Sequence, residues 1–142
     1  MNSYLINQIS NKVTTKNLFP HQQEAISKLI DTYRYDDQNT KSGLLVLPTG
    51  GGKTLTTVRW IMDNVLTKNI KVIWLAHSFH LLDQALDTFE NELPRLKGRR
   101  ETLNIRIVSS HPSHDRVETL KTTDDVLIMT TPTAISALNG FV

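Results

Sequence analysis

The segment Pro48-Thr49-Gly50-Gly51-Gly52-Lys53-Thr54 constrains the fold more than any other stretch of this 142-residue chain. A continuous apolar run, 44–47, leads into it, and Leu55, Val58, Met62, Val65 and Leu66 follow at helical spacing. Consecutive glycines let the backbone adopt conformations that a side chain forbids, so several N–H groups can face one anion. A helix opening directly after them adds its positive end. Lys53 then reaches β- and γ-phosphate oxygens, and the Thr54 hydroxyl suits a Mg²⁺ ion carried by a nucleotide. The strict pattern places Gly five positions before Gly52; Leu47 stands there, so this is the variant without the leading glycine. A flexible turn that merely contains Gly-Lys-Thr is the plainer reading, and the strand–loop–helix order speaks against it.

The rest of the chain fits a sheet covered by helices. Runs 44–47, 72–75 and 126–129 are continuous rather than alternating, as in strands buried on both faces of a parallel sheet. Leu82, Ala85, Leu86, Phe89 and Leu93 predict a second helix. Residues 104–108 begin by alternating and predict a strand nearer an edge. Pro20 predicts a helix start, with Ile26, Leu29, Ile30 and Tyr33 in register behind it. Residues 34–42 read as a loop, and a short helix is expected near 117–120. Strand, helix, strand, helix, strand predicts an α/β fold with a mainly parallel sheet. Right-handed crossovers set the helix N-termini along one edge of it. With 39% hydrophobic and 21% charged residues, the chain has material for a core. It has no cysteine, which excludes disulfides, thiolate metal sites and cysteine catalysis. Its net charge, 16 − 14 = +2, does not by itself mark a nucleic-acid binder. The longest aliphatic or aromatic run, 72–76, is far short of the roughly 20 residues of a membrane span. The start of the chain lacks a secretory pattern, so a soluble, cytoplasmic protein with no membrane partner is expected.

The glycine segment resembles motif I (Walker A) of superfamily-2 DEAD/DEAH-type helicases and translocases. Leu18-Phe19-Pro20-His21-Gln22-Gln23-Glu24-Ala25-Ile26 is similar to the Q motif. Val72-Ile73-Trp74-Leu75-Ala76-His77-Ser78 with Leu81, Leu82, Gln84 and Ala85 is similar to motif Ia, in the Leu-Ala-His form of restriction-enzyme motor subunits. Val126 to Thr133 is similar to motif Ib. The resemblance spans about residues 18–140. It implies a P-loop NTPase of RecA-like fold, with 1–17 as an N-terminal segment and 18–142 as the first part of an ATP-binding domain. ATP and Mg²⁺ are the implied cofactors. Thr49, Gly50, Gly51, Gly52, Lys53 and Thr54 would hold the phosphates, with Thr54 on the metal. Gln22 would read adenine, since its amide matches the N6/N7 edge. Phe19, where many relatives carry Arg, either stacks on adenine or packs in the core.

Motifs Ia and Ib each run a buried strand into a polar residue and a helix. Ser78 and Thr131 are expected as N-caps, with Pro132 at the first helical position. Free N–H groups there bind phosphate without reading sequence. The family sets such ends against nucleic acid, which implicates His77, Ser78, Thr131, Pro132 and Thr133, with DNA favoured over RNA by the Leu-Ala-His form. The histidines at 77, 80, 111 and 114 are not expected to bind zinc. The cluster Arg95, Lys97, Arg99 and Arg100 reads as a solvated loop.

A motor ATPase also needs an apolar strand ending in Asp-Glu, to hold Mg²⁺ and orient the attacking water. The predicted strands run instead into Pro48, His77, Ser109 and Thr130, and Asp124-Asp125 precede a strand. The expectation is an incomplete sheet, cut before the Walker B motif and without the second RecA-like domain. Such a fragment would be catalytically incompetent and marginal or aggregation-prone alone. Two other readings stand: a non-catalytic nucleotide-binding or interaction module, and another P-loop enzyme such as a nucleotide kinase.

Overall fold

A computed structural model of the chain describes residues 2–33, 42–47 and 52–141. Four strands form one sheet in the order β1-β3-β4-β2: β1 (Asn2–Leu5), β2 (Val72–Ala76), β3 (Thr102–Val108) and β4 (Val126–Thr130). β2, β4 and β3 run parallel, and β1 pairs antiparallel with β3. The main helices are α1 (Pro20–Thr32), α2 (Lys53–Asn64), α3 (Phe79–Asn91) and α4 (Thr131–Phe141). Pro20 opens α1 as expected, where its missing N–H costs nothing. The expected short helix near 117–120 is a 3-10 turn, Val117–Thr119.

The register Val72↔Val126↔Ile105 puts alternate residues of three strands on one face. That face is the core. Val126, Ile128 and Ile105 are buried against Val58 and Met62 of α2 and Leu82, Ala85 and Phe89 of α3. Trp74 meets Phe89 edge-on at 5.7 Å.

Three expectations are corrected. Residues 42–47 form no strand. Leu44 is 90% exposed, and the segment runs beside α1 with Gly43 against Tyr33. An apolar run becomes a strand only where a sheet edge accepts its backbone, and 42–47 is not hydrogen-bonded to β2. β2 is correspondingly buried on one face only, with Ile73 64% and Leu75 50% exposed. β3 lies one strand in from the edge, because β1 covers it. The polar look of 1–17 hid that strand, and the next residue, Ile6, is fully buried. The expected loop 34–42 falls outside the described residues except for Ser42.

The basic cluster is solvated in part, with Arg95 and Arg99 exposed, but its charges are engaged. Arg95 forks onto Asp63 (Nε–Oδ1 3.0 Å, Nη2–Oδ2 2.7 Å). Arg100 reaches Asp125 (2.9 Å) and the Leu66 carbonyl (3.1 Å), while Lys97 donates to Asn11 Oδ1 (3.0 Å). These charges tie the connection after α3 to α2 and to the approach of β4. Two ion pairs lie deeper. Arg59 of α2 grips Glu92 through Nε at 2.9 and 3.0 Å and also donates to the Lys16 carbonyl. Burial pushes the Glu92 carboxyl above its usual range, against the opposing pull of Arg59. Arg106 of β3 grips Asp124, just before β4 (2.7 and 3.2 Å).

Candidate functional site

The glycine segment ends in an arrangement that favours glycine. Gly52 is left-handed (φ 75°, ψ 44°) and is the N-cap of α2. Its carbonyl accepts from the Thr56 N–H (2.9 Å) and hydroxyl (2.8 Å), which closes the first turn. A Cβ at this position would overlap the side-chain nitrogen of Gln22. Positive φ favours glycine, and a side chain here would also have to displace the Gln22 amide. Pro48, Thr49, Gly50 and Gly51 lie outside the described residues. Lys53 is exposed in the first turn of α2. Thr54, half-buried beside it, lines a cavity of about 230 Å³ together with Ala76 and His77 at the end of β2.

Gln22 is brought to the same place. It is buried on α1, and its Oε1 accepts from the Phe19 N–H (2.8 Å), so it closes the start of the helix while its amide nitrogen meets Gly52. Sequence reasoning missed this contact, because helical spacing says nothing about which helix a side chain meets. Phe19 is 67% exposed and stacks parallel to His21 at 5.9 Å, which removes the core-packing alternative.

The second group of residues gathers at the C-terminal ends of β2, β3 and β4. Ser78 caps α3 as expected, its hydroxyl accepting from the Leu81 N–H (3.3 Å). α4 starts one residue earlier than expected, at Thr131. The preceding Thr130 donates its hydroxyl to Thr133 Oγ1 (2.8 Å), so Thr131 is the first helical residue and not the cap. Thr130 can do this because the strand ends with its side chain turned toward the new helix. His77, Pro132 and Thr133 line one cleft of about 540 Å³ with Ser109 and Arg116. His77 also lines the Thr54 cavity, so it stands between the two groups.

Loop 109–116 completes the cleft. Arg116 Nη1 donates to the carbonyls of Ser109 (2.6 Å), His111 (2.8 Å) and His114 (3.2 Å). His114 joins Ser109 Oγ (Nδ1, 2.6 Å) to Asp83 of α3 (Nε2, 2.9 Å). His111 Nδ1 accepts from the Ser113 N–H (3.1 Å). The described residues contain no group of three or more metal-binding side chains. None of the described strands ends in an acid: β2 leads into His77, β3 into Ser109 and β4 into Thr131. Asp124 and Asp125 are spent on Arg106 and Arg100.

The family model of the type III restriction enzyme res subunit matches residues 15–140, and the chain belongs to that family. It is a superfamily-2 helicase-like domain of RecA-like architecture, of the ATP-dependent helicase and translocase type. No curated protein matches the chain. No solved structure matches it.

Proposed function

We propose that this chain forms the nucleotide-binding part of an ATP-dependent nucleic-acid translocase or helicase that acts on DNA in preference to RNA. Gly50, Gly51 and Gly52, with Thr49, cradle the phosphates. Lys53 neutralises them, and Gln22 sits against the cradle to select the adenine nucleotide. His77, Ser78, Thr131, Pro132 and Thr133 contact the nucleic-acid backbone. The observation that carries this reading is left-handed Gly52, packed against Gln22 and opening a helix whose first residues are Lys53 and Thr54. Gly52 takes the left-handed backbone that opens a helix on such a turn, and a hydroxyl in the first helical turn suits Mg²⁺ carried by ATP, so the residues present fit both groups. Bound there, Mg²⁺ would screen the phosphate charge and polarise the γ-phosphate for attack by water.

Hydrolysis needs a carboxylate to hold that ion and orient the water. No apolar run in this sequence leads into an acid pair, so we assign this role to a segment other than these 142 residues, along with the partner RecA-like domain. The chain alone is then an ATP binder with negligible turnover.

The test measures binding of a fluorescent ATP analogue and steady-state hydrolysis, each with and without single-stranded DNA or RNA. Lys53→Ala is expected to weaken nucleotide binding roughly 10- to 150-fold, the loss of charged hydrogen bonds. Unchanged binding in that variant removes the phosphate-cradle reading. DNA-stimulated turnover by the wild-type chain removes the assignment of the missing carboxylate.

A further inference from the structure

Phe79 is a large aromatic side chain left 38% exposed at the first residue of α3, on the rim of the cleft that His77, Arg116 and Thr133 share. A ring in that place has a cost to solvation that packing inside the core would have avoided. It is held in one orientation. His111 meets it edge-on at 5.1 Å (71°) and His114 at 6.0 Å (79°), while the two imidazoles lie 5.0 Å apart. Both imidazoles are fixed in turn, His114 between Ser109 and Asp83 and His111 by Ser113. Arg116 clamps the loop that carries them through three carbonyls. The result is a rigid aromatic platform beside an open cleft.

The charge around the cleft argues for what lies on the platform. Arg116 shares the lining with the opposite charge of Glu118, and its Nη1 is already occupied by three carbonyls. A phosphate gains little from a lining of mixed charge, whereas a neutral, flat group with hydrogen-bond donors suits it. Every nucleobase offers a π-face for stacking and an edge for polar groups. A base can reach such a platform only when it is out of a duplex stack. About 540 Å³ falls within the range of cavities that hold small molecules, a nucleotide included.

We propose that Phe79, backed by His111 and His114, is a nucleobase-stacking residue that holds an unpaired base of a single strand next to the α4 end of the cleft. This deepens the nucleic-acid reading above and rests on it: the backbone contacts bring the strand, and Phe79 makes the protein respond to its bases.

The test compares an oligothymidylate with an abasic strand of equal length and charge, by fluorescence anisotropy, in wild type, Phe79→Ala, Phe79→Leu and Phe79→Tyr. Stacking of one base on an aromatic ring gives roughly a 5- to 150-fold preference for the base-bearing strand. Wild type and Phe79→Tyr are expected to show that preference, and Phe79→Ala and Phe79→Leu to lose it while binding the abasic strand as wild type does. The ratio of the two affinities should hold as salt rises, because phosphate contacts are common to both strands. Equal wild-type affinity for both strands overturns the stacking proposal and leaves the backbone reading intact. An equal fall on both strands in Phe79→Ala and Phe79→Leu also overturns it, in favour of a structural role. Absence of wild-type binding to either strand overturns the backbone reading and this one with it.

Discussion

Arg106→Met tests how the long connection between β3 and β4 is held. Arg106 Nε and Nη2 fork onto Asp124 (2.7 and 3.2 Å), and Nη1 reaches Asp115 Oδ2 and Thr119 Oγ1, both at 3.1 Å. Both members of the Arg106–Asp124 pair are buried. Methionine fills similar space but leaves the Asp124 carboxylate with the Lys121 N–H (2.9 Å) and, in place of a paired guanidinium, only the weaker field of Lys71, whose ammonium is bonded to the Thr122 and Asp124 carbonyls. An uncompensated buried charge costs about 3–5 kcal/mol, a large share of a typical domain's stability of roughly 5–15 kcal/mol. Burial pushes the Asp124 carboxyl up, but the Arg106 and Lys121 hydrogen bonds outweigh it, so the folded value lies below the usual 3.8. The unfolded chain therefore binds the proton first as pH falls. The stability from this pair is full above the ordinary aspartate range and is lost as pH drops through the folded value. In Arg106→Met the largest of the interactions opposing burial is gone, so protonating Asp124 relieves part of the strain. The loss should be about 3–5 kcal/mol at pH 7 and should shrink toward the acid limit at which wild type still folds. Urea unfolding followed by far-UV circular dichroism reads both. Arg106→Met/Asp124→Leu should regain most of the loss, because an apolar pair of similar volume removes the orphaned charge. A single variant within about 1 kcal/mol of wild type, or an equal loss at both pH values, refutes this account.

Two further substitutions test contacts described above. Gly52→Ala should cost about 1–2 kcal/mol from the left-handed backbone alone, plus the collision with Gln22. Gln22→Ala in the same chain should recover the collision part, read as a non-additive double-mutant cycle, and strict additivity would deny the contact. Tyr4 donates to Glu90 (2.9 Å), and burial together with that carboxylate raises its phenol well above the ordinary 10. The folded chain then keeps a proton that the unfolded chain releases, so stability is full below pH 10 and falls above it. Glu90→Gln should soften the fall, and tyrosinate absorbance unchanged by that substitution would count against the pairing.

Local signals were legible where local physics decides the outcome. Pro20, the 55–66 and 82–93 helical patterns, the Ser78 cap and the apolar runs at 72–75 and 126–129 all express steric or hydrogen-bonding preferences of adjacent residues. What could not be read depended on partners distant in sequence. The run 44–47 has strand composition, yet composition does not supply a hydrogen-bonding neighbour. Asn2–Leu5 has little strand composition, yet β3 offers it an edge. In the candidate site, the glycine turn and Lys53-Thr54 were visible as a pattern. The meeting of Gln22 with Gly52 was not, nor the aromatic group of Phe79, His111 and His114, because each is assembled by packing between separate elements. A bulky aromatic directly behind a capping serine was the one available hint of the latter.

The antiparallel pairing of β1 has a consequence for how the protein is made. Leu5 meets Thr102, so almost a hundred residues separate the two halves of that ladder. A ribosome extends a chain by about 5–20 residues per second, and β1 therefore waits roughly 5–20 s for its neighbour to be synthesised. Throughout that interval Ile6 lacks Leu103 and Ile105, two members of the core cluster it belongs to. The pairing of β1 thus follows the synthesis of all that lies between the two strands, and it is the emergence of β3 that admits β1 to the sheet.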